Sequence, residues 1–166
     1  SLICQIQDAE NMEIASHTFS HYYCLEEQYN SNAFLSDLQA SNAAFSRLGI
    51  HTTSLVFPRN QYNSSVIADI SKAGFTVFRG NEDNYLYQPR ADNFNNKIVR
   101  GCRLLDSYTS LTGVNSSNKK VYKDNIISIP SSRFLRPARS GGFESLRLKR
   151  ILKAMNHAAA NNKGFH

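Results

Sequence analysis

Two histidines separated by four positions are the residues whose type and spacing point most directly to chemistry. They lie in Glu13-Ile-Ala-Ser-His17-Thr-Phe-Ser-His21, at the end of a short strand-like stretch. On one side of a helical turn their Cβ atoms would be about 5–6 Å apart, so both imidazoles could bind one divalent cation such as zinc. The alternative is two unrelated surface histidines. The position after a strand favours a metal site, because α/β proteins place their sites at strand ends.

The other cysteines and histidines are weaker candidates for metal binding. Cys24 follows His21 by three positions, so a His-His-Cys zinc set is geometrically possible. A free cysteine is more often a small buried hydrophobic residue. His51 precedes a strand-like run and His157 lies beside three alanines in a helix-like stretch. Both are expected to be structural or solvated.

A second group of polar side chains follows the next strand-like run, in Phe57-Pro58-Arg59-Asn60-Gln61-Tyr62. An arginine, two amides and a phenol at a strand end can hold an oxyanion or orient a carboxylate. A hydrogen-bonded turn would explain the same residues equally well. Arg59, Asn60 and Tyr62 are the catalytic candidates of this segment.

Alternating apolar runs and amphipathic stretches predict the elements that must position these two groups. Apolar residues recur at helical spacing over 32–48, and Gly49 marks the helix end. A β-branched strand is predicted over 52–57, followed by a short helix that ends at Gly74 and a strand over 75–78. Strand, helix and strand within about 27 residues are typical of a parallel βαβ unit.

The rest of the chain continues this alternation more loosely. Polar loops at 81–96 and 113–124 separate its elements, and the first of them, with Tyr85 and Tyr87, could line a site. There is no internal repeat and no recognisable domain linker. We therefore expect an α/β layered or (β/α) barrel fold in a single domain. The remaining predicted elements are a helix over about 96–112, a strand over 126–129, a helix over 143–161 and the start of a strand at 164–166.

Length and composition exclude several classes of protein. The chain has 166 residues, of which 41% are hydrophobic and 11% aromatic, enough to form a core and too many for a disordered chain. Its apolar runs are far shorter than the roughly 20 residues of a membrane helix, so no transmembrane segment is expected. The three cysteines form no Cys-x-x-Cys pair, and their odd number argues against a complete disulfide framework.

The net charge of +6 is unevenly distributed along the chain. Residues 1–87 hold four bases and nine acids, a net charge of −5, whereas residues 88–166 hold fifteen bases and four acids, a net charge of +11. A basic half could contact phosphate, an anionic polysaccharide or an acidic partner, or could be scattered surface charge. No nucleic-acid-binding module is recognisable, so nucleic acid is not an expected partner.

The two polar groups occur together in a pattern that resembles a known family. His17-Thr-Phe-Ser-His21 is similar to the metal-binding motif of the NodB-like polysaccharide deacetylases, carbohydrate esterases with a distorted (β/α) barrel. Ser54-Leu-Val-Phe-Pro-Arg-Asn-Gln61 and Gly74-Phe-Thr-Val-Phe-Arg-Gly80 resemble the family's next motif block and the strand after it. The Phe-Pro-Arg-Asn-Gln element departs from the commoner Arg-Pro-Pro-Tyr form. The resemblance is strongest over residues 10–82.

This resemblance implies a metal-dependent hydrolase that removes N-acetyl groups from a bacterial envelope polysaccharide. His17 and His21 would hold zinc or another divalent metal, which lowers the pKa of a bound water and polarises the acetamide carbonyl. Backbone N–H groups near Asn60 to Tyr62 would stabilise the oxyanion, and Arg59 would orient the general base.

Two parts of the family's machinery are missing from this sequence. The family has an Asp-Asp pair upstream of the histidine motif, but Asp8 is the only aspartate before His17. The family's late catalytic histidine would be His166 or would lie just beyond it. The resemblance thus implies one partial barrel domain, residues 1–166, cut at both ends. We expect weak zinc binding, little deacetylase activity and homo-oligomers formed through exposed sheet edges.

Two other functions stay open at the level of the sequence. One is a noncatalytic glycan-binding module that uses the basic half of the chain. The other is an amidase that acts on a small C–N substrate with the same residues. A carboxylate that completes the site of His17 and His21 would favour an enzyme, whereas an empty site with sugar affinity would favour the binding module. No signal peptide is recognisable, and the compartment, bacterial cytoplasm or cell envelope, stays open.

Overall fold

The computed structural model describes residues 2–82, 84–88, 97–109, 111–133 and 143–166. No helix in these ranges is long and apolar enough to cross a membrane. Short 3-10 turns lie at Pro58–Asn60, Tyr85–Tyr87 and Lys123–Asn125. The helices in these ranges are Leu2–Gln7 (α1), Ser31–Arg47 (α2), Ser64–Lys72 (α3), Lys97–Tyr108 (α4) and Glu144–Ala160 (α5). The strands are Ser54–Leu55 (β1), Val77–Gly80 (β2), Lys120–Val121 (β3) and Ile127–Pro130 (β4).

These strands form a four-stranded mixed sheet in the order β1-β2-β4-β3. β1 and β2 are parallel, with Ser54 opposite Val77 and Leu55 opposite Phe78. Because α3 connects these two strands, the predicted parallel βαβ unit is confirmed. The predicted α/β class is also confirmed, but a barrel is not seen, since the sheet formed by the described strands is open.

The ends of α2 and α3 follow from the local sequence. Each helix begins after an asparagine, Asn30 or Asn63, whose side-chain oxygen accepts a hydrogen bond from the backbone N–H three residues later. Each helix is followed by a glycine with positive φ, +69° at Gly49 and +88° at Gly74. Glycine adopts this backbone region without a steric penalty. Both predicted helix ends are therefore confirmed.

Several predicted boundaries are wrong in extent. The strand predicted over 52–57 is only two residues long, because only Ser54 and Leu55 pair with residues of β2. The strand predicted over 75–78 begins later, at Val77, because the N–H of Phe75 still donates to a carbonyl at the end of α3 (3.0 Å). At the end of the chain, where a strand was predicted, Gly164 makes only an isolated bridge.

The described residues group into two compact units, and the single-domain interpretation stays a prediction. Unit 1 comprises Ser1–Arg79 and Val121–Ile127, and unit 2 comprises Gly80–Lys120 and Ser128–His166. Unit 2 buries a group of charged side chains, Glu82, Asp106, Arg133 and Arg150. Unit 1 contains an apolar core in which α2 and α3 pack with the sheet residues. The buried side chains of that core are Cys24, Phe34, Leu38, Leu55, Phe57, Val66, Ile67, Ile70, Phe75, Phe78 and Ile126.

Candidate metal-binding and catalytic site

The loop that carries the two histidines leaves the edge of β1 at Ser16. This residue is fully buried. Its N–H donates to the carbonyl of Ser54 (2.9 Å), and its carbonyl accepts from the N–H of Val56 (2.8 Å). Its hydroxyl is hydrogen-bonded to the hydroxyl of Ser41 on α2 (2.8 Å). The start of the loop is therefore fixed to both β1 and α2.

The helical turn predicted for the histidine pair is wrong. Thr18 and His21 have φ values of +64° and +60°, in the left-handed region, which a right-handed helix excludes. The loop is held instead by Asp37 of α2, whose carboxylate accepts hydrogen bonds from the backbone N–H groups of Phe19 (2.8 Å) and Ser20 (2.9 Å). No motif in the sequence marks Asp37 for this role, because its partners are backbone atoms that are distant in the chain.

This loop nevertheless brings the two imidazoles together, as the sequence predicted. The ring centroids of His17 and His21 are 4.9 Å apart, and their planes are inclined by 66°. Nδ1 of His17 lies 2.8 Å from the carbonyl oxygen of Val56. Since a carbonyl only accepts, Nδ1 is the donor of this hydrogen bond, which leaves Nε2 as the nitrogen that could coordinate a metal ion. Both histidines are exposed, so a cation from solvent can reach them.

No further ligand completes the pair within the described ranges. Groups of three or more His, Cys, Asp or Glu side chains that could hold a metal ion are absent there. Cys24 is 1% exposed, and burial raises the pKa of its thiol to about 12. A thiol of this kind fits the buried hydrophobic interpretation better than that of a thiolate ligand.

The other three histidines have surroundings of their own. His51 is exposed just ahead of β1. Nδ1 of His157 is hydrogen-bonded to the hydroxyl of Ser116 (3.0 Å) in unit 2. His166 also belongs to unit 2, where its carbonyl accepts from the N–H of Ser132 (2.8 Å).

The second predicted group lies in the 3-10 turn after β1. Arg59 and Asn60 have φ values of +52° and +53°, a conformation that costs a non-glycine residue on the order of 1–3 kcal/mol. The N–H of Asn60 donates to the carbonyl of Phe57 (2.9 Å), and the N–H of Gln61 donates to the carbonyl of Pro58 (3.1 Å). These two N–H groups, which were predicted to stabilise an oxyanion, therefore close the turn.

The ring of Tyr62 packs at the margin of the apolar core. Its centroid lies 5.4 Å from that of Phe57 and 5.0 Å from that of Phe78. The catalytic roles of Arg59, Asn60 and Tyr62 stay predictions.

Two residues that the sequence did not single out connect the histidine loop with this turn. The ring of Tyr23 is 5.2 Å from that of His21, and the guanidinium carbon of Arg59 lies 4.1 Å above the same tyrosine ring. Glu26 has its Oε1 atom 4.0 Å from Nη1 of Arg59 and accepts a hydrogen bond from Nε2 of Gln61 (2.7 Å). The available signal was the aromatic and acidic run directly after the histidine motif.

The segment that contains the histidine loop and the Arg59 turn matches a known protein family. Residues 1–78 match the polysaccharide deacetylase family model. The resemblance predicted from the sequence is thereby confirmed for the segment that holds His17, His21, Arg59 and the βαβ unit up to Phe78. No curated protein and no solved structure was found to match the chain.

Proposed function

We propose that this chain is part of a metal-dependent hydrolase that removes N-acetyl groups from a bacterial envelope polysaccharide. The main observation behind this proposal is the histidine pair within residues 1–78, the segment that matches the polysaccharide deacetylase family. The ring centroids of His17 and His21 are 4.9 Å apart, and a backbone carbonyl orients the ring of His17. Carbonyl-anchored imidazoles are common zinc ligands in proteins, because the anchor fixes the tautomer and leaves the other nitrogen to coordinate.

The donor set fits part of a zinc site. His17 and His21 would hold the ion, which supplies a bound water of lowered pKa and polarises a carbonyl. Imidazole nitrogens are among the ligands that zinc prefers. Two imidazoles without a third protein ligand give a weak site, so we expect weak zinc binding by this polypeptide. The guanidinium of Arg59, 41% exposed at its side chain, lies over the ring of Tyr23, which also contacts the ring of His21.

A zinc titration tests this proposal. Isothermal calorimetry is expected to show binding weaker than micromolar for the unaltered chain, with loss of binding in His17→Ala and in His21→Ala. His51→Ala is the matched control, because His51 is exposed but lies outside the histidine loop. If His17→Ala and His51→Ala bind zinc equally, the histidine pair does not hold the metal. Sub-micromolar binding that is lost in His17→Ala would contradict the incomplete site.

A further inference from the structure

Tyr23 touches both halves of the candidate site. Its ring meets the ring of His21 edge to face, with centroids 5.2 Å apart and planes inclined by 84°. Its face carries the guanidinium of Arg59 at 4.1 Å, within the range of a cation–π interaction. Tyr23 is half-buried and Arg59 is partly exposed, so this contact lies at the surface beside the histidine pair.

The guanidinium of Arg59 is also approached by a carboxylate whose position is fixed from the core. Gln61 is 1% exposed. It donates through Nε2 to Glu26 (2.7 Å), and its Oε1 accepts from the backbone N–H of Leu25 (3.2 Å). Glu26 is thereby held with its Oε1 atom 4.0 Å from Nη1 of Arg59. An aromatic face and an anchored carboxylate therefore both restrict the arginine.

These contacts matter because neither loop is regular secondary structure. His21 has a φ of +60° and Arg59 a φ of +52°, so each is the site of an unfavourable backbone conformation. Such conformations persist when surrounding contacts over-determine them. An exposed arginine on a turn would otherwise sample many rotamers, and fixing it costs side-chain entropy. A shared aromatic neighbour fixes both residues at once.

We propose that Tyr23 is a positioning residue that holds the imidazole of His21 and the guanidinium of Arg59 in one arrangement, so that the histidine loop and the Arg59 turn act as a single site. Its consequence for hydrolysis rests on the proposed function. The geometric coupling itself does not, because it concerns the side chains of this chain alone. Both contacts use the ring of Tyr23, so phenylalanine should replace it and an aliphatic residue should not.

The test compares Tyr23→Phe with Tyr23→Leu. NMR of the Arg59 side chain, assigned with Arg59→Lys, reports the tyrosine ring through the upfield ring-current shift of the arginine protons. We expect this shift to persist in Tyr23→Phe and to disappear in Tyr23→Leu. The ring resonances of His21 should move in Tyr23→Leu as well. In a zinc titration followed on those resonances, Tyr23→Leu should weaken binding about two- to five-fold, the loss of a surface cation–π contact, while Tyr23→Phe binds as the unaltered chain.

Tyr22→Leu is the matched control for general loss of packing. Tyr22 is adjacent, but its ring packs against Phe34 and Tyr29 in the core, at centroid distances of 5.4 Å and 6.4 Å. This variant should lower stability and leave the Arg59 shift in place. Persistence of the shift in Tyr23→Leu, or its loss with unchanged His21 resonances and zinc midpoint, would overturn the proposal. Failure of the proposed function is separate, because it would appear as equal zinc binding by His17→Ala and His51→Ala.

Discussion

The carboxylate of Asp106 in unit 2 is fully buried and is contacted by two arginines. Nη1 of Arg133 lies 3.3 Å from its Oδ2 atom, and Nη2 of Arg150 also donates to that atom. The hydroxyl of Tyr87 donates at 2.8 Å, and Thr112 donates through both its N–H and its hydroxyl. Burial alone would raise the pKa of Asp106, but these hydrogen bonds outweigh burial and hold the pKa below its ordinary value. The loop residue Tyr87 thus has a buried structural partner.

We predict that Asp106→Ala lowers the free energy of unfolding by about 3–5 kcal/mol, because it leaves two buried guanidinium groups without their shared carboxylate. Urea unfolding measures the change. Glu27→Ala is the control, since Glu27 is an exposed carboxylate outside this buried group. That control should cost about 1 kcal/mol or less. Equal effects of the two substitutions would contradict the role of Asp106.

Glu82 in the same group gives unit 2 a pH-dependent stability. Burial raises the pKa of its carboxyl to about 7, although Arg133 at 3.5 Å opposes the shift. Between an unfolded pKa of 4.5 and the folded value, the folded state binds more protons. Stability from this group is therefore fully present below about pH 4.5 and is lost as the pH rises through about 7.

The expected loss is on the order of 3 kcal/mol, since each pKa unit corresponds to about 1.4 kcal/mol. Urea unfolding from about pH 5 to about pH 8 measures it. Glu82→Gln, which keeps the shape but does not titrate, should remove this slope. A slope that is unchanged in Glu82→Gln would assign the pH dependence to another group.

At the scale of secondary structure, two glycines give a matched pair of substitutions. Gly74 has a φ of +88° at the end of α3, whereas Gly101 lies inside α4, and a Cβ atom would meet no neighbour at either position. Gly74→Ala should therefore cost about 1–2 kcal/mol through backbone strain alone. Gly101→Ala should stabilise by about 0.5–1 kcal/mol, because alanine loses less conformational entropy in a helix. Thermal or urea unfolding measures both changes in stability. Changes of the same sign in the two variants would contradict the prediction.

The elements show which parts of the molecule a sequence can predict. Periodicity and glycine placement predicted α2, α3 and the βαβ unit, because these signals are local in the chain. The extent of β1 could not be predicted, since it depends on which of its residues pair with β2, which is distant in the chain. The contact of Tyr23 with Arg59 was missed for a related reason: the aromatic run after the histidine motif could mark Tyr23, but its partner Arg59 lies on a separate loop.

At the scale of the whole molecule, the edge of the sheet beside β1 bears on the predicted homo-oligomers. The backbone N–H and carbonyl of Ser16 both bond at the edge of β1, to Ser54 and to Val56, which directly follows the strand. In an extended segment the N–H of the neighbouring, exposed Ala15 then points away from β1. We predict self-association that rises with concentration in light scattering. Ala15→Pro removes this outward donor without touching the bonds of Ser16, and should reduce association. A monomer at all concentrations would contradict the prediction.

Val56 uses both of its backbone groups beside the candidate site: its N–H pairs with Ser16, and its carbonyl holds Nδ1 of His17. The ring orientation of His17, the proposed metal ligand, thus depends on the hydrogen-bonded pairing of Val56 with Ser16. A cation that binds only when Val56 and Ser16 are paired would stabilise the paired state and raise thermal stability by mass action. Conversely, loss of this pairing would reduce the apparent affinity for the cation in proportion to the fraction of molecules in which Val56 and Ser16 are paired. With His17 as the proposed metal ligand, the strand pairing at this edge and the metal affinity would form one linked equilibrium.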